Sequence, residues 1–119
     1  MKKTLFLQYP KCSTCRKAAK WLKDNNIEVE SRDISVQNPT EEELSEWIKR
    51  SGLPVIRFFN TSGRIYKEQN LKETVKTSSP DELISLLASD GMLVKRPLII
   101  NDRFIIVGFN ETEWTKLLK

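Results

Sequence analysis

The chain has 119 residues, a length at which a single domain can bury a core without disulfides or metals to hold it. Hydrophobic residues make up 39% of it and charged residues 30%, a balance typical of a soluble globular protein and not of a disordered chain. The net charge of +4 is spread along the sequence, so it allows an anionic partner or substrate without predicting nucleic-acid binding. No apolar segment approaches the roughly 20 residues of a membrane span. With no export signal and a closely spaced cysteine pair, we expect a cytoplasmic protein.

The first third of the chain has the pattern of a strand, a helix and a second strand. Residues 4–9 are short and largely apolar, and residues 14–25 place apolar side chains at helical spacing between lysines. Residues 27–34 alternate between apolar and charged side chains, which indicates a strand. Because a helix lies between them, the two strands are predicted to be parallel. This is one βαβ unit.

The middle of the chain, at about residues 38–92, is predicted to be helical. One helix begins after Thr40, an N-cap with Glu43 three residues later, and stops at Gly52. A short apolar piece follows at 54–60, then a turn-like segment at 61–70 around Ser62-Gly63 and a helix near 70–75. A further helix begins at Pro80 and is closed by Gly91. Its predicted buried face consists of Leu83, Leu86 and Leu87.

The end of the chain completes an α/β pattern. Residues 98–100 and 104–107 are rich in β-branched side chains and are separated by a hairpin-type turn, and residues 110–118 form a last helix. The order is therefore βαβ, helices, then ββα. We predict a single domain over residues 1–119 with a four-stranded mixed sheet and a helical insertion. Three tryptophans fall on apolar helix faces and are predicted to lie in the core: Trp21, Trp47 and Trp114.

Cys12 and Cys15 are the only cysteines, and they form a C-x-x-C pair between the first strand and the first helix. Unpaired backbone N–H groups converge at the start of a helix, and their partial positive charge favours a thiolate over a thiol. Arg16 and Lys17 add full positive charges nearby. Because the thiolate is the attacking species, Cys12 is a candidate nucleophile and the pair a candidate redox dithiol.

Three other interpretations of the cysteine pair are open. A zinc site needs about four ligands, but the chain has no histidine and no further cysteine, so no metal is expected. Buried free cysteines can be inert packing residues. A structural disulfide at this spacing would close a very short loop and restrain little chain entropy. Redox chemistry is the interpretation that the strand, the helix and the basic neighbours favour together.

The sequence resembles the glutaredoxin-like arsenate reductase and Spx family, which has the thioredoxin fold. The resemblance covers nearly the whole chain, including the helical insertion. It rests on three segments: Tyr9-Pro10-Lys11-Cys12-Ser13-Thr14-Cys15-Arg16-Lys17-Ala18, Arg96-Pro97-Leu98-Ile99 and Val107-Gly108-Phe109-Asn110-Glu111.

The resemblance implies roles for particular residues. Cys12 matches the family's nucleophile, and Arg96 matches an arginine that helps to bind the oxyanion. Pro97 matches a proline expected to be cis beside the dithiol. Cys15 would resolve the adduct on Cys12, giving an intramolecular disulfide that an external thioredoxin, glutaredoxin or glutathione reduces. No bound cofactor is expected, and the substrate is a small oxyanion or a disulfide.

The chain departs from the arsenate reductases at the two other arginines of their oxyanion site. Asn60 occupies the position of one, and the segment 107–109, where the other falls, contains none. Asn60 and Arg64 are therefore candidate substrate contacts, with Arg57 as a nearby alternative.

The C-x-x-C pair and the Gly-Phe-Asn-Glu segment are similar to the Spx branch, whose members sense disulfide stress. Two functions follow as expectations. The first is an arsenate-reductase-like thiol-disulfide oxidoreductase. The alternative is a redox-sensing transcription regulator that binds the RNA polymerase α subunit without binding DNA directly, with Gly52 as a candidate contact. A general glutaredoxin-like activity is a third.

Overall fold

The computed structural model describes residues 4–61 and 63–118. Within them, four strands form one mixed sheet in the order β2-β1-β3-β4. The strands are β1 (Leu5–Gln8), β2 (Glu30–Asp33), β3 (Leu98–Ile100) and β4 (Ile105–Val107). The helices are α1 (Ser13–Asp24), α2 (Glu41–Ser51), α3 (Arg64–Glu68), α4 (Leu71–Thr77), α5 (Pro80–Ser89) and α6 (Glu111–Leu118). The predicted α/β fold with a four-stranded mixed sheet is confirmed.

The chain divides into two compact units. One comprises Met1–Asp33 and Arg96–Lys119, and the other Ile34–Lys95. The expected insertion at about 38–92 falls inside the second unit. Among the described residues no helix combines the length and apolar character needed to cross a lipid bilayer.

In the first unit the sheet carries the predicted βαβ and ββα halves. β1 pairs in parallel with β2 and antiparallel with β3, which pairs antiparallel with β4. The register sets Phe6 opposite Ile99 and Ile99 opposite Ile106, so that these three share one face of the sheet. That face forms a buried cluster with residues of α1 and α6, namely Ala18, Leu22 and Trp114. The cluster packs α1 against this face of the sheet through its middle and last turns.

Trp21 does not lie fully in the core as predicted. It is half-buried and packs against the cluster, with its ring 5.7 Å from that of Trp114 and 6.4 Å from that of Phe109. Its exposed side lines an open groove of about 540 Å³ beside the start of α6. The helical spacing in α1 predicts that the Trp21 side chain faces the core, but it does not predict how much of that side chain α6 covers. Trp47 and Trp114 are buried as predicted.

β2 is shorter than the predicted strand at 27–34. Hydrogen bonding to β1 begins when the Glu30 N–H donates to the Thr4 carbonyl oxygen at 2.8 Å. Ile27 and Val29 lie before that point and contribute side chains to the core without joining the ladder. The alternation of apolar and charged side chains therefore begins before the backbone hydrogen bonds that define the strand.

The second unit is helical, and its helix starts follow the predicted caps. Thr40 and Glu43 form a capping box at α2, and Gly52 ends that helix in the left-handed conformation with φ of 70°. The Ser79 hydroxyl accepts from the Glu82 N–H at the start of α5. The short apolar piece contains a 3₁₀ helix at Val55–Phe58. The buried residues of the unit include Leu44, Trp47, Phe58, Phe59 and Leu87.

Two predictions of secondary structure in this unit were wrong. The segment at 61–70 contains α3, a helix of five residues that is too short to show a periodic apolar pattern; Ser62 lies outside the described residues. α5 ends at Ser89 and not at Gly91, because Asp90 is extended and its carboxylate accepts from the Met92 N–H at 2.9 Å. That contact starts a separate 3₁₀ turn at Gly91–Leu93.

On α5 the buried side chains are Leu83, Ile84 and Leu87, whereas Leu86 is half-buried. The predicted face was therefore right at Leu83 and Leu87 and wrong at Leu86, because Leu and Ile at neighbouring positions leave the stripe undetermined.

Candidate redox site

Cys12 is the N-cap residue of α1. Its backbone is extended, with φ of −84° and ψ of 120°, and its Sγ accepts a hydrogen bond from the Cys15 N–H at 3.4 Å. The Cys12 N–H donates to the Tyr9 carbonyl oxygen at 3.0 Å, which closes the turn between β1 and α1. A cysteine thus takes the position that Ser, Thr, Asp or Asn usually occupies, with its sulfur at the positive end of the helix.

Cys15 lies in the first turn of α1 and is buried, whereas Cys12 is half-buried. Both are free thiols in this structure. The two sulfurs therefore differ in access to solvent. Cys12 is the more accessible of the two.

The surroundings of Cys12 favour its thiolate. Burial by itself raises the pKa of the Cys12 thiol. Hydrogen bonds from the Cys15 side chain and backbone, together with the charge and a hydrogen bond of Arg96, outweigh burial. The net effect lowers the pKa of Cys12 below its ordinary value, which raises the share of thiolate, the reactive form of a cysteine, at a given pH.

The surroundings of Cys15 keep it protonated. Burial raises the pKa of the Cys15 thiol to about 12. A hydrogen bond from the Tyr9 backbone to the sulfur and the charge of Arg96 oppose this, while the neighbouring Cys12 adds to it. The pair therefore has one sulfur suited to attack and one held as a thiol, which can donate a hydrogen bond to the Cys12 thiolate.

This difference predicts selective alkylation of the reduced protein. At pH 7 iodoacetamide should modify Cys12 alone, because a thiol with a pKa of about 12 is ionised in only about one molecule in 100,000. As the pH rises, the rate at Cys12 should reach its plateau at a lower pH than for an ordinary cysteine. Cys15 should react only as the pH approaches 12. Rates are read from intact mass, and sites from peptide mapping.

The Cys12→Ser protein is the control for this experiment, since it should stay unlabelled at pH 7. Modification of both cysteines at similar rates at pH 7 would contradict the assignment of the two pKa shifts.

Arg96 and Pro97 belong to the same unit as the cysteine pair. The Arg96–Pro97 peptide bond is cis, and Pro97 is buried. The Pro97 carbonyl oxygen accepts from the Gly108 N–H at 2.8 Å, at the point where the backbone of Gly108 has φ of 82°. Arg96 is half-buried and interacts with Cys12 through its charge and a hydrogen bond. Three of the residues singled out in the sequence, Cys12, Cys15 and Arg96, are thus brought together.

The other candidate contacts lie in the second unit. Asn60 is half-buried, and its backbone N–H donates to the Leu93 carbonyl oxygen at 2.7 Å. Arg64 begins α3 and is exposed, with its Nε 3.5 Å from the Glu68 carboxylate. Arg57 and Gly52 are exposed. Substrate contact by Asn60 or Arg64 stays a prediction, as does a partner contact at Gly52.

Tyr9 was not among the predicted site residues. Its ring lies under the Arg96 guanidinium, with Cζ 5.3 Å from the ring centroid, and its backbone contacts both cysteines. The signal in the sequence was its place three residues before Cys12 at the end of a strand. Nothing in the sequence pairs it with Arg96, which is 87 positions later.

The model of the ArsC family matches residues 7–117, nearly the whole chain. The chain belongs to the ArsC family. The resemblance seen in the sequence motifs is therefore confirmed. Among curated proteins, it is 50% identical over 109 residues to YusI of Bacillus subtilis, covering 92% of each chain.

Two further relatives carry the names of regulators. Over 114 residues the chain is 30% identical to the regulatory protein MgsR of Bacillus subtilis, which covers 96% of this chain and 89% of MgsR. Over 115 residues it is 29% identical to the global transcriptional regulator Spx of Staphylococcus epidermidis, covering 97% and 86% of the two chains.

Solved structures agree with the fold throughout. An ArsC-family-related protein from Bacteroides fragilis is 59% identical and superposes with a TM-score of 0.93, covering 98% of this chain and 99% of the other. A protein from Streptococcus mutans described as a possible arsenate reductase is 40% identical, with a TM-score of 0.85 and coverage of 92% and 93%. This ArsC-family protein therefore has both arsenate-reductase-like and regulator-like relatives.

Proposed function

We propose that this protein is an arsenate-reductase-like thiol-disulfide oxidoreductase that uses Cys12 and Cys15 as its redox pair. The observation that carries the proposal is the arrangement at the start of α1. There the half-buried Cys12 sulfur accepts the Cys15 N–H and interacts with Arg96. A thiolate at a helix N-terminus beside a guanidinium suits attack on an anionic substrate.

The reaction balances with these groups alone for one turnover. The Cys12 thiolate attacks arsenic of bound arsenate, and an oxygen leaves as water. The Cys15 thiol then loses its proton and attacks the Cys12 sulfur, which forms the disulfide and releases arsenic as arsenite. The two thiols lose two electrons, and arsenic passes from the +5 to the +3 state. An external thiol, from thioredoxin, glutaredoxin or glutathione, reduces the disulfide again.

The test is a single-turnover experiment without any external thiol. Fully reduced protein is mixed with arsenate, with oxidised glutathione, with arsenite or with buffer, then denatured in acid and alkylated. The number of alkyl groups per chain is read from intact mass. The arsenite arm controls for simple binding of arsenic to the thiols, which consumes no electrons.

We expect arsenate to remove both alkylation sites and arsenite to remove neither after denaturation. If glutathione disulfide closes the pair and arsenate does not, the protein is a general thiol oxidoreductase and not an arsenate reductase. If neither oxidant closes the pair, the proposed redox function is wrong.

A second candidate function is a redox-sensing transcription regulator that binds the RNA polymerase α subunit. The observation that favours it is the similarity over nearly the full length to MgsR and Spx, which are named as regulators. Its test is retention of purified α subunit by the immobilised full chain, with the pair reduced or oxidised. Retention that changes with the oxidation state supports regulation. Equal absence of retention in both states counts against it.

A further inference from the structure

The contact between Arg96 and Tyr9 has a geometry that bears on the redox site. Arginine has a long side chain with many rotamers, and fixing it in one of them costs entropy. Here its Cζ lies 5.3 Å from the centroid of the Tyr9 ring, within the range of a cation–π interaction. Both side chains are half-buried, so the contact is partly shielded from water. The ring therefore favours one position of the guanidinium over the others.

That position is also the one from which Arg96 acts on Cys12. The N–H bonds of a guanidinium lie in its own plane, so contact with an aromatic ring leaves them free to donate elsewhere. Arg96 has a hydrogen bond with Cys12 as well as a favourable charge interaction. The guanidinium that contacts the Tyr9 ring is therefore also the group whose charge favours the Cys12 thiolate.

The backbone of Tyr9 is fixed independently of its ring. Its carbonyl oxygen accepts from the Cys12 N–H at 3.0 Å, and its backbone contacts Cys15. The next carbonyl, that of Pro10, accepts from Arg16 Nε at 2.8 Å. These bonds hold the turn from β1 to α1 without help from the ring, so a change confined to the Tyr9 side chain can leave the turn intact.

We propose that Tyr9 is a positioning residue of the redox site, whose aromatic ring holds the Arg96 guanidinium beside the Cys12 sulfur. The inference rests on the proposed function in one respect, that Cys12 is the sulfur that reacts. The ring, and not the hydroxyl, performs this role. Tyr9 acts through Arg96, so its effect must vanish when Arg96 carries no charge.

The experiment measures the rate of alkylation of Cys12 by iodoacetamide as a function of pH in the reduced full chain. The groups that act on the Cys12 charge are Cys15 and Arg96, and both are unchanged in the Tyr9 variants. The variants are Tyr9→Phe, Tyr9→Leu, Arg96→Met and the Tyr9→Leu/Arg96→Met double variant. Phe104→Leu is the matched control, a partly buried aromatic at the hairpin turn, at the opposite end of β3 from Arg96.

Tyr9→Leu is expected to slow alkylation at neutral pH by about three- to tenfold and to move the pH profile upward. Tyr9→Phe and Phe104→Leu should stay within about twofold of the unaltered protein, because the first keeps the ring and the second does not touch the site. Arg96→Met should slow the reaction at least as much as Tyr9→Leu. Adding Tyr9→Leu to Arg96→Met should change the alkylation rate of Cys12 by less than about twofold.

Three results would overturn the proposal: an unchanged rate in Tyr9→Leu, equal losses in Tyr9→Phe and Tyr9→Leu, or the full Tyr9→Leu effect persisting without Arg96. Urea unfolding of each variant identifies any rate change that comes from a loss of folded protein. Alkylation needs neither arsenate nor a disulfide. If the protein reacts with neither arsenate nor a disulfide, the proposed function is wrong. The alkylation rates of the Tyr9 variants would still test the positioning role of Tyr9.

Discussion

Replacing Cys12 with serine is expected to abolish thiol-disulfide turnover, with a loss of at least about 1,000-fold. Serine can keep the N-cap position, because its hydroxyl oxygen can accept the hydrogen bond that the Cys15 N–H now donates to Cys12 Sγ. The helix should therefore form as before. The hydroxyl does not ionise near neutral pH, however, so the positive charge around it has no thiolate to stabilise. Turnover is measured with glutathione disulfide or arsenate and an external thiol.

Cys15→Ser is the matched variant, since it removes the second sulfur and keeps the first. The Cys15 backbone N–H that donates to Cys12 Sγ is retained, and Arg96 is unchanged. We expect the first step to proceed within about threefold of its normal rate. Without external thiol, the protein should then accumulate a mixed disulfide on Cys12 when glutathione disulfide is the substrate. Intact mass and peptide mapping detect that adduct.

Normal turnover by Cys12→Ser would refute the assignment of the nucleophile. Failure of Cys15→Ser to accumulate any adduct, in a folded protein, would show that Cys15 takes part in the first step.

The sheet and the caps could be predicted because each depends on a few neighbouring residues. Alternating or continuous apolar runs gave the four strands, and Thr40 with Glu43 gave the start of α2. The errors occur where neighbours in sequence do not decide the outcome. The start of β2 depends on where its hydrogen bonds to β1 begin, and the exposure of Trp21 depends on how far α6 reaches.

The same division holds for the candidate site. The position of Cys12 at the start of α1 follows from a strand, a C-x-x-C pair and a helix that are adjacent in sequence. The position of Arg96 came from the family resemblance and not from any local pattern. Tyr9 was missed because its partner joins the site only through the pairing of β1 with β3. A contact made by sheet pairing leaves no periodic signal in the residues that make it.

Replacing Gly91 with alanine is expected to destabilise the second unit severely, by at least about 3 kcal/mol. A Cβ at this position would overlap the carbonyl oxygen of Ile34 and lie 3.1 Å from its carbonyl carbon. Both are backbone atoms of a fully buried residue, so neither can rotate away as a flexible side chain could. Relief would require the chain near residue 34 or the 3₁₀ turn at Gly91–Leu93 to shift. The free energy of unfolding is measured by urea titration.

Gly52→Ala is the matched control, because it tests the same change where space is open. No atom lies within 4 Å of a Cβ built at Gly52, but the backbone there has φ of 70°. The cost is then only that of the left-handed conformation, about 1–2 kcal/mol, reduced by the lower entropy of alanine in the unfolded chain. We expect a net loss of about 1 kcal/mol. Equal losses in the two variants would mean that the close approach of Gly91 to Ile34 is not what requires glycine there.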